Sequence, residues 1–228
     1  MASVEAWLEA FYAPEDPELR GVRNDAERRG FPEIHLPRLT ARTIQLLLPL
    51  IGARRVIEVG TLAGYSAHWI GRALPPGGLL VTLEIDGERA EAARGHLARA
   101  GLGDRVEVRE GDARLLLEAM EDPGGWDAMH LDADKESLPH YIDEAHRLLR
   151  PDGLLLIDNV LWKGQIVDFW AKGSDAMPSE PPVAEGDEVD EATAAILRVH
   201  RTLVEDRRWD PLVLPIGDGL ALARRRPG

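Results

Sequence analysis

Residues 55–66 read Arg-Val-Ile-Glu-Val-Gly-Thr-Leu-Ala-Gly-Tyr-Ser, an apolar run that ends in a glycine turn. The apolar residues 56–59 predict a short buried strand, and the turn predicts a sharp entry into a helix over residues 65–74. The glycine spacing, G-x-x-x-G, differs from the G-x-G-x-x-G of dinucleotide-binding sites. Glu58, two residues before the first glycine, would repel a pyrophosphate and suits a cation such as the amino group of an amino acid. The stretch therefore predicts a ligand-binding strand end and argues against an NAD-dependent dehydrogenase.

The same strand–turn–helix unit repeats along the chain after residue 66. Strands are predicted over residues 79–83, 106–109, 127–131 and 153–157, and helices over residues 88–100, 113–120 and 139–149. Such regular alternation with short connections predicts a parallel sheet with helices on both faces.

Both ends of the chain have a different pattern. Helices are predicted over residues 4–12, 39–48 and 192–206, and two strands joined as a hairpin over residues 209–215 and 220–224. The N-terminal helical segment comprises residues 1–50, and its two helices are separated by a charged, Pro-containing stretch over residues 14–37. Together these elements predict an α/β fold, Rossmann-like and doubly wound. Its mostly parallel seven-stranded sheet carries a C-terminal antiparallel hairpin and N-terminal helices.

Composition and charge limit the classes of function. The length predicts one domain, residues 1–228, and the 44% hydrophobic and 29% charged residues are typical of a globular protein. The formal net charge of −13 argues against general binding to a phosphate backbone. The absence of cysteine excludes disulfides, thiolate zinc sites and cysteine nucleophiles. No signal peptide is recognisable and no apolar stretch approaches the roughly 20 residues that span a bilayer, so we expect a cytoplasmic protein without membrane contact.

Polar residues follow the first three predicted strands, where open parallel sheets bind their ligands. Glu84 ends the second strand, 24 residues after Gly60, which is the usual place of a carboxylate that accepts hydrogen bonds from ribose hydroxyls. Asp112 and Ala113 follow the third strand, where a backbone or side-chain group can hold an adenine edge. Each residue alone is also explained as an ordinary strand end. In this order they predict a site for a nucleoside joined to an amino acid, such as S-adenosylmethionine.

A second set of polar residues follows the fourth and fifth strands: Asp132, Asp134 and Lys135, then Asp158 and Asn159. Two carboxylates and an amide carbonyl from neighbouring strand ends form an oxygen-only set that suits a hard cation such as Mg²⁺. The alternative is that Asp132 and Asp158 only cap the elements that follow them. Lys135 is either an ion-pair partner of these acids or a base in catalysis.

Four motifs together resemble the cation-dependent O-methyltransferases, the family of catechol and caffeoyl-CoA O-methyltransferases and their bacterial relatives. The motifs are EVGTLAGYS at residues 58–66, LDADK at 131–135, IDNVLWKG at 157–164 and LPIGDGLALA at 214–223. The resemblance runs from about residue 30 to residue 225, and the order and spacing of the motifs make it specific. The residues of these motifs are most similar to those of the caffeoyl-CoA and bacterial branch.

The resemblance implies a role for each matching residue. A divalent ion, Mg²⁺ or another such as Mn²⁺ or Ca²⁺, is expected on Asp132, Asp158 and Asn159, while Lys135 matches the family's catalytic lysine beside the catalytic Asp132. The residues expected around S-adenosylmethionine are Leu36, Glu58, Gly60, Thr61, Ser66, Glu84, Ala113, Asp132 and Asp134. Trp162 and Tyr65 are either walls of the acceptor site or core residues.

The chain departs from the resemblance at two places. Ala63 stands where relatives usually have Thr. The acidic, Pro-rich segment over residues 172–190 is predicted as a surface loop or lid. It is longer than the corresponding segment of relatives, in which this part of the chain shapes substrate access.

The resulting hypothesis is an S-adenosylmethionine- and divalent-metal-dependent O-methyltransferase. Its acceptor is expected to be a hydroxyl of a catechol-like, vicinal dihydroxy aromatic small molecule or its CoA ester, and the resemblance also implies a homodimer. Two alternatives stay open. One is O-methylation of a hydroxylated wobble uridine in tRNA, against which the net charge weighs. The other is a non-catalytic nucleoside-binding regulator, against which the intact metal-ligand set argues.

Overall fold

The computed structural model describes residues 3–171 and 190–228. These residues fall into two compact units, Met1–Leu116 and Leu117–Gly228. The predicted loop over residues 172–190 lies, apart from Asp190, outside the described residues. None of the described helices is both long and apolar enough to cross a membrane.

The first unit combines the N-terminal helices with three parallel strands. Its elements are helices α1 (Val4–Tyr12), α2 (Pro17–Arg28), α3 (Arg38–Leu50), α4 (Tyr65–Ala73) and α5 (Gly87–Arg99), the start of α6 (Ala113–Glu118), and strands β1 (Arg55–Val59), β2 (Leu79–Glu84) and β3 (Val106–Glu110). Strand β2 pairs in parallel with both β1 and β3. Because parallel strands end at the same edge, the turn after β1 and the acid at the end of β2 become neighbours.

Helix α2 is one of the elements that the sequence analysis did not predict, because it lies inside the charged stretch over residues 14–37. Asp16 caps it by accepting hydrogen bonds from the N–H groups of Glu18 and Leu19, and Pro17 occupies its first turn. Only Leu19, Val22 and Ala26 are buried along it. Three apolar residues among many charged ones give too narrow a stripe to be seen by periodicity.

The second unit contains the remaining strands and the C-terminal helices. Its elements are strands β4 (Trp126–Leu131), β5 (Leu149–Ile157), β6 (Trp209–Leu214) and β7 (Leu220–Arg225), helices α7 (Leu138–Leu148), α8 (Gln165–Ala171) and α9 (Glu191–Glu205), and a single 3₁₀ turn over Trp162–Gly164. Strands β4 and β5 are parallel, whereas β7 is antiparallel to both β5 and β6. The predicted C-terminal hairpin is thus confirmed.

The seven strands follow the order β3-β2-β1-β4-β5-β7-β6 in one mostly parallel sheet with antiparallel C-terminal strands. Helices lie between successive strands from β1 to β6, as the alternating pattern predicted up to β5. The predicted Rossmann-like α/β fold class is therefore confirmed.

Candidate cofactor and metal sites

The turn after β1 has the backbone conformation for which its glycines are required. Gly60 and Gly64 have φ angles of 94° and 89°. The Gly60 N–H donates to the carbonyl of Leu83, which ties the turn to β2. A Cβ on Gly64 would lie 3.3 Å from the Cβ of Ala93, so α5 packs directly against the turn.

Glu84 contacts this turn from the neighbouring strand end. Its Oε2 accepts hydrogen bonds from the N–H groups of Thr61, at 3.2 Å, and Leu62, at 2.8 Å. Its Oε1 accepts from the N–H of Asp86 at 3.1 Å. Carboxylate oxygens accept more than one hydrogen bond each, so the same group keeps capacity for ribose hydroxyls. The structure thus brings together two residues, Thr61 and Glu84, that the sequence placed at the cofactor.

Glu58 is held beneath the turn by a residue that the sequence analysis missed. The hydroxyl of Thr82 donates to Glu58 Oε2 at 2.6 Å and lies 2.6 Å from the hydroxyl of Thr61. Since the single proton of Thr82 goes to the carboxylate, Thr61 is the donor in the second bond. Glu58, Thr61 and Thr82 are all buried. The signal for Thr82 was a lone hydroxyl in an otherwise apolar part of β2, and the contact of Glu58 with a cofactor stays a prediction.

The other predicted cofactor residues of the first unit lie on helices or just before one. Ser66 is buried in the first turn of α4, Ala113 begins α6, and Leu36 is buried before α3. Leu36 also lines a cavity of about 580 Å³ together with residues of α2. Tyr65 is a core residue whose hydroxyl donates to Glu15 at 2.7 Å; burial raises its pKa.

Two large aliphatic residues stand exposed beside predicted cofactor residues. Ile85 directly follows Glu84, and Leu115 lies two residues after Ala113. Exposed aliphatic side chains next to a polar strand end suit the face of a planar base. The sequence analysis missed both, although their position after the strand ends was a signal.

In the second unit, four predicted residues form one hydrogen-bonded cluster at the ends of β4 and β5. Lys135 Nζ donates to Asn159 Oδ1 at 3.0 Å, and Asn159 Nδ2 donates to Asp158 Oδ2 at 3.0 Å. Lys135 Nζ also lies 3.7 Å from Asp132 Oδ1. The parallel pairing of β4 with β5, in which Leu131 faces Ile157, brings the two acids together. We name Asp132, Lys135, Asp158 and Asn159 the acidic cluster.

Asp158 has the electrostatics expected of a cation ligand. Its side chain is buried, and within the described part of the chain its Oδ1 has no hydrogen-bond partner. Burial and the negative charge of Asp132 raise the pKa of Asp158 to about 6. A buried carboxylate oxygen without a partner is costly, and a bound cation would remove that cost.

The ligand chemistry of the acidic cluster fits a hard divalent ion. In residues 3–171 and 190–228, no three His, Cys, Asp or Glu side chains group as a metal site. The predicted set contains only two such residues, Asp132 and Asp158, and its third member is the amide of Asn159. Oxygen ligands of this kind are typical of Mg²⁺, which retains several water molecules.

Asp134 lies outside the acidic cluster's hydrogen bonds. Its Oδ1 accepts from the hydroxyl of Tyr141 at 2.9 Å, and its Oδ2 accepts from the N–H of Ser137 at 3.1 Å. Both contacts fix the entry into α7. Its predicted place beside the cofactor stays a prediction.

The loop after Asn159 is fastened to the turn between β6 and β7, a contact that the sequence analysis did not predict. The N–H of Leu161 donates to the Asp218 carbonyl at 2.9 Å, and the N–H of Lys163 donates to Asp218 Oδ1 at 2.6 Å. The indole N–H of Trp162 donates to the hydroxyl of Thr193 at 2.9 Å. The signal in the sequence is the GDG motif at residues 217–219, which by itself predicts only a hairpin turn.

Comparisons with known proteins identify the family of this chain. A sequence model of the O-methyltransferase family matches residues 10–226. The chain is 38% identical over 168 residues to catechol O-methyltransferase of Niastella koreensis, which covers 73% of this chain and 76% of that protein. It is 29% identical over 222 residues to caffeoyl-CoA O-methyltransferase 1 of Eucalyptus globulus, covering 96% and 86%.

A solved structure extends the comparison to the fold. The O-methyltransferase of Bacillus cereus in complex with SAH matches with a TM-score of 0.83 at 30% identity, covering 98% of this chain and 97% of that one. The chain therefore belongs to the O-methyltransferase family and is an S-adenosylmethionine-dependent O-methyltransferase.

Proposed function

We propose that this enzyme methylates a hydroxyl of a catechol-like small molecule or its CoA ester, with a divalent cation, Mg²⁺ first, held by Asp132, Asp158 and Asn159. The observation that carries the proposal is Oδ1 of Asp158, which is buried within the acidic cluster and has no hydrogen-bond partner among the described residues. The names of the relatives, catechol and caffeoyl-CoA O-methyltransferases, support the substrate class.

The acidic cluster supplies what O-methylation of a catechol requires. A cation held there lowers the pKa of a chelated hydroxyl by stabilising its oxyanion. Lys135 is the proposed proton acceptor, because its buried Nζ lies between Asp132 and Asn159. Asn159 Oδ1 accepts a hydrogen bond from this Nζ and Asp132 Oδ1 lies 3.7 Å from it, so both residues keep the amine in place. As a base, Lys135 acts in its neutral form.

The first unit supplies the proposed cofactor contacts. Gly60 and Thr61 belong to the turn that faces the cofactor, and Glu84 accepts hydrogen bonds from the ribose hydroxyls. Ser66 and Leu36 lie along the methionine portion. Ala113 borders the adenine, with Ile85 and Leu115 as its apolar contacts. Glu58 contributes a negative charge toward the amino group. The roles of Asp132 and Asp134 at the cofactor, which the resemblance implies, stay predictions.

We also infer the setting in which the enzyme works. A single family model spans both compact units, which supports one methyltransferase domain over residues 1–228. The absence of cysteine fits a cytoplasmic protein. Helix α1 has no buried residue and exposes Val4, Trp7, Phe11 and Tyr12, an apolar face that supports a homodimer.

The proposal is tested by assaying methyl transfer from S-adenosylmethionine to catechol, caffeoyl-CoA and unmodified or hydroxylated tRNA. We expect turnover of a vicinal dihydroxy aromatic that is lost with chelator, restored with Mg²⁺ and absent in Asp158→Ala. Turnover that persists in chelator would contradict the metal role. Turnover of hydroxylated tRNA alone would contradict the small-molecule acceptor.

A further inference from the structure

The loop that carries Asn159 has an unusual backbone. Asn159, Trp162 and Lys163 have φ angles of 62°, 48° and 54°, in the left-handed region that few residues other than glycine adopt. Such a backbone persists only when its surroundings fix it. The contacts that fix this loop therefore determine where the amide of Asn159 points.

The peptide group between Val160 and Leu161 is held at both of its polar ends. Its N–H, that of Leu161, donates to the Asp218 carbonyl at 2.9 Å. Its carbonyl, that of Val160, lies 2.6 Å from Nε2 of His200. A carbonyl only accepts, so His200 carries its proton on Nε2 and donates it to Val160. One peptide plane is thus fixed by groups from the hairpin turn and from α9.

His200 is placed to make this contact. Its side chain is buried in α9, and its ring reaches a carbonyl one residue beyond Asn159. The preceding N–H, that of Val160, donates to the Gly219 carbonyl at 3.1 Å. The backbone immediately after the proposed ligand is therefore hydrogen-bonded on three successive groups, of which only the His200 contact comes from a side chain.

We propose that His200 is a positioning residue for the metal-ligand loop, a role that rests on the proposed function. By holding the Val160 carbonyl it keeps Asn159 in its left-handed conformation, with Oδ1 turned toward Lys135. Loss of the donor releases the loop toward an ordinary backbone conformation and moves the amide oxygen away. Substituting a residue that orients a metal ligand without binding the metal itself typically changes metal affinity by about 10- to 100-fold.

The test measures Mn²⁺ binding to the full chain by the loss of its free-ion electron paramagnetic resonance signal. The variants are His200→Leu, which removes the donor, and His200→Gln, whose amide nitrogen reaches the same position. Val199→Ala is the matched control, because Val199 is a buried neighbour on α9 and its truncation lowers stability without removing the Val160 contact. Thermal unfolding of each variant is recorded alongside.

We expect His200→Leu to weaken Mn²⁺ binding about 10-fold and His200→Gln to restore it to within about 2-fold. Val199→Ala should bind Mn²⁺ as the unaltered chain does, despite a lower melting temperature. Equal Mn²⁺ affinity in His200→Leu and the unaltered chain would overturn the positioning role. So would an equal loss in Val199→Ala. Failure of the unaltered chain to bind Mn²⁺ more tightly than Asp158→Ala would instead overturn the proposed metal site, and this inference with it.

Discussion

At the scale of single residues, the burial of Asp158 beside Asp132 governs the electrostatics of the proposed metal site. The pKa of Asp158 is about 6 in the folded chain against an ordinary 3.8. The folded state therefore binds this proton more tightly than the unfolded state does. Keeping the carboxylate charged costs stability above pH 6, and the cost disappears below about pH 4.

Asp158→Asn should consequently stabilise the metal-free protein while it abolishes metal-dependent activity. At pH 8 in chelator, we expect its free energy of unfolding to rise by up to about 3 kcal/mol, since one pKa unit corresponds to about 1.4 kcal/mol. The gain should vanish near pH 4. Urea unfolding at both pH values measures it, with Asp152→Asn on the same strand as an exposed control. A variant no more stable than the parent at pH 8 would contradict this electrostatic account.

Lys135→Met tests the proposed proton acceptor. The substitution keeps much of the buried side chain but removes the amine, so we expect kcat to fall by about 10²- to 10⁴-fold. The affinity for S-adenosylmethionine, measured by calorimetry, should stay unchanged. The fall in the rate of methyl transfer is measured under single-turnover conditions with saturating Mg²⁺ and catechol. A rate within about 10-fold of the parent would exclude Lys135 as the base.

At the scale of elements, the β6–β7 turn supports the metal-ligand loop by close backbone contact. A Cβ on Gly219, whose φ is 87°, would lie 2.5 Å from Leu161 Cγ and 2.9 Å from the Leu161 nitrogen. Gly101 has a similar φ of 69°, yet nothing lies within 4 Å of a Cβ there. Comparing alanine substitutions at these two glycines therefore separates two losses of stability, one from the left-handed backbone and one from the clash with Leu161.

Gly219→Ala should cost more stability than Gly101→Ala. We expect about 1–2 kcal/mol for Gly101→Ala from the left-handed backbone alone. A further 1–3 kcal/mol or so is expected for Gly219→Ala from overpacking against Leu161. Urea midpoints measure both. Equal losses of stability in the two variants would show that the β6–β7 turn does not pack closely against Leu161.

The sequence predicted these elements where a periodic pattern or a strand end marked them. The positions of Asp132, Asp158 and Asn159 were predictable because parallel strands end at one edge of a sheet. The left-handed backbone of Asn159, which is not a glycine, was not predictable, because contacts distant in sequence impose it. Thr82 and His200 were missed for the same reason: each acts through hydrogen bonds to residues that are distant in sequence. Helix α2 was missed because charge obscured its apolar stripe.

At the scale of the whole molecule, α1 exposes an aromatic face that the proposed homodimer would cover. The ring of Trp7 lies 5.3 Å from that of Phe11 and 5.9 Å from that of Tyr12, and all three residues are more than half exposed. Burying such side chains between two copies is favourable by the hydrophobic effect. We therefore place the proposed homodimer contact on this helix.

The double variant Trp7→Glu, Phe11→Glu should be monomeric, because charges on the apolar face oppose its burial. Light scattering after size-exclusion chromatography measures the mass. Leu212→Glu, an exposed aliphatic residue on β6, is the control and should remain dimeric. Dissociation by Leu212→Glu alone would place the interface elsewhere.

The dependence of catechol binding on a divalent ion is the most direct test of the proposed function. Catechol is titrated calorimetrically into the protein saturated with S-adenosylhomocysteine, first in chelator and then with excess Mg²⁺, using the parent chain and Asp158→Asn. We expect binding only in the parent chain and only with Mg²⁺. Equal catechol binding with and without the ion, or unchanged binding in Asp158→Asn, would contradict the proposed metal site.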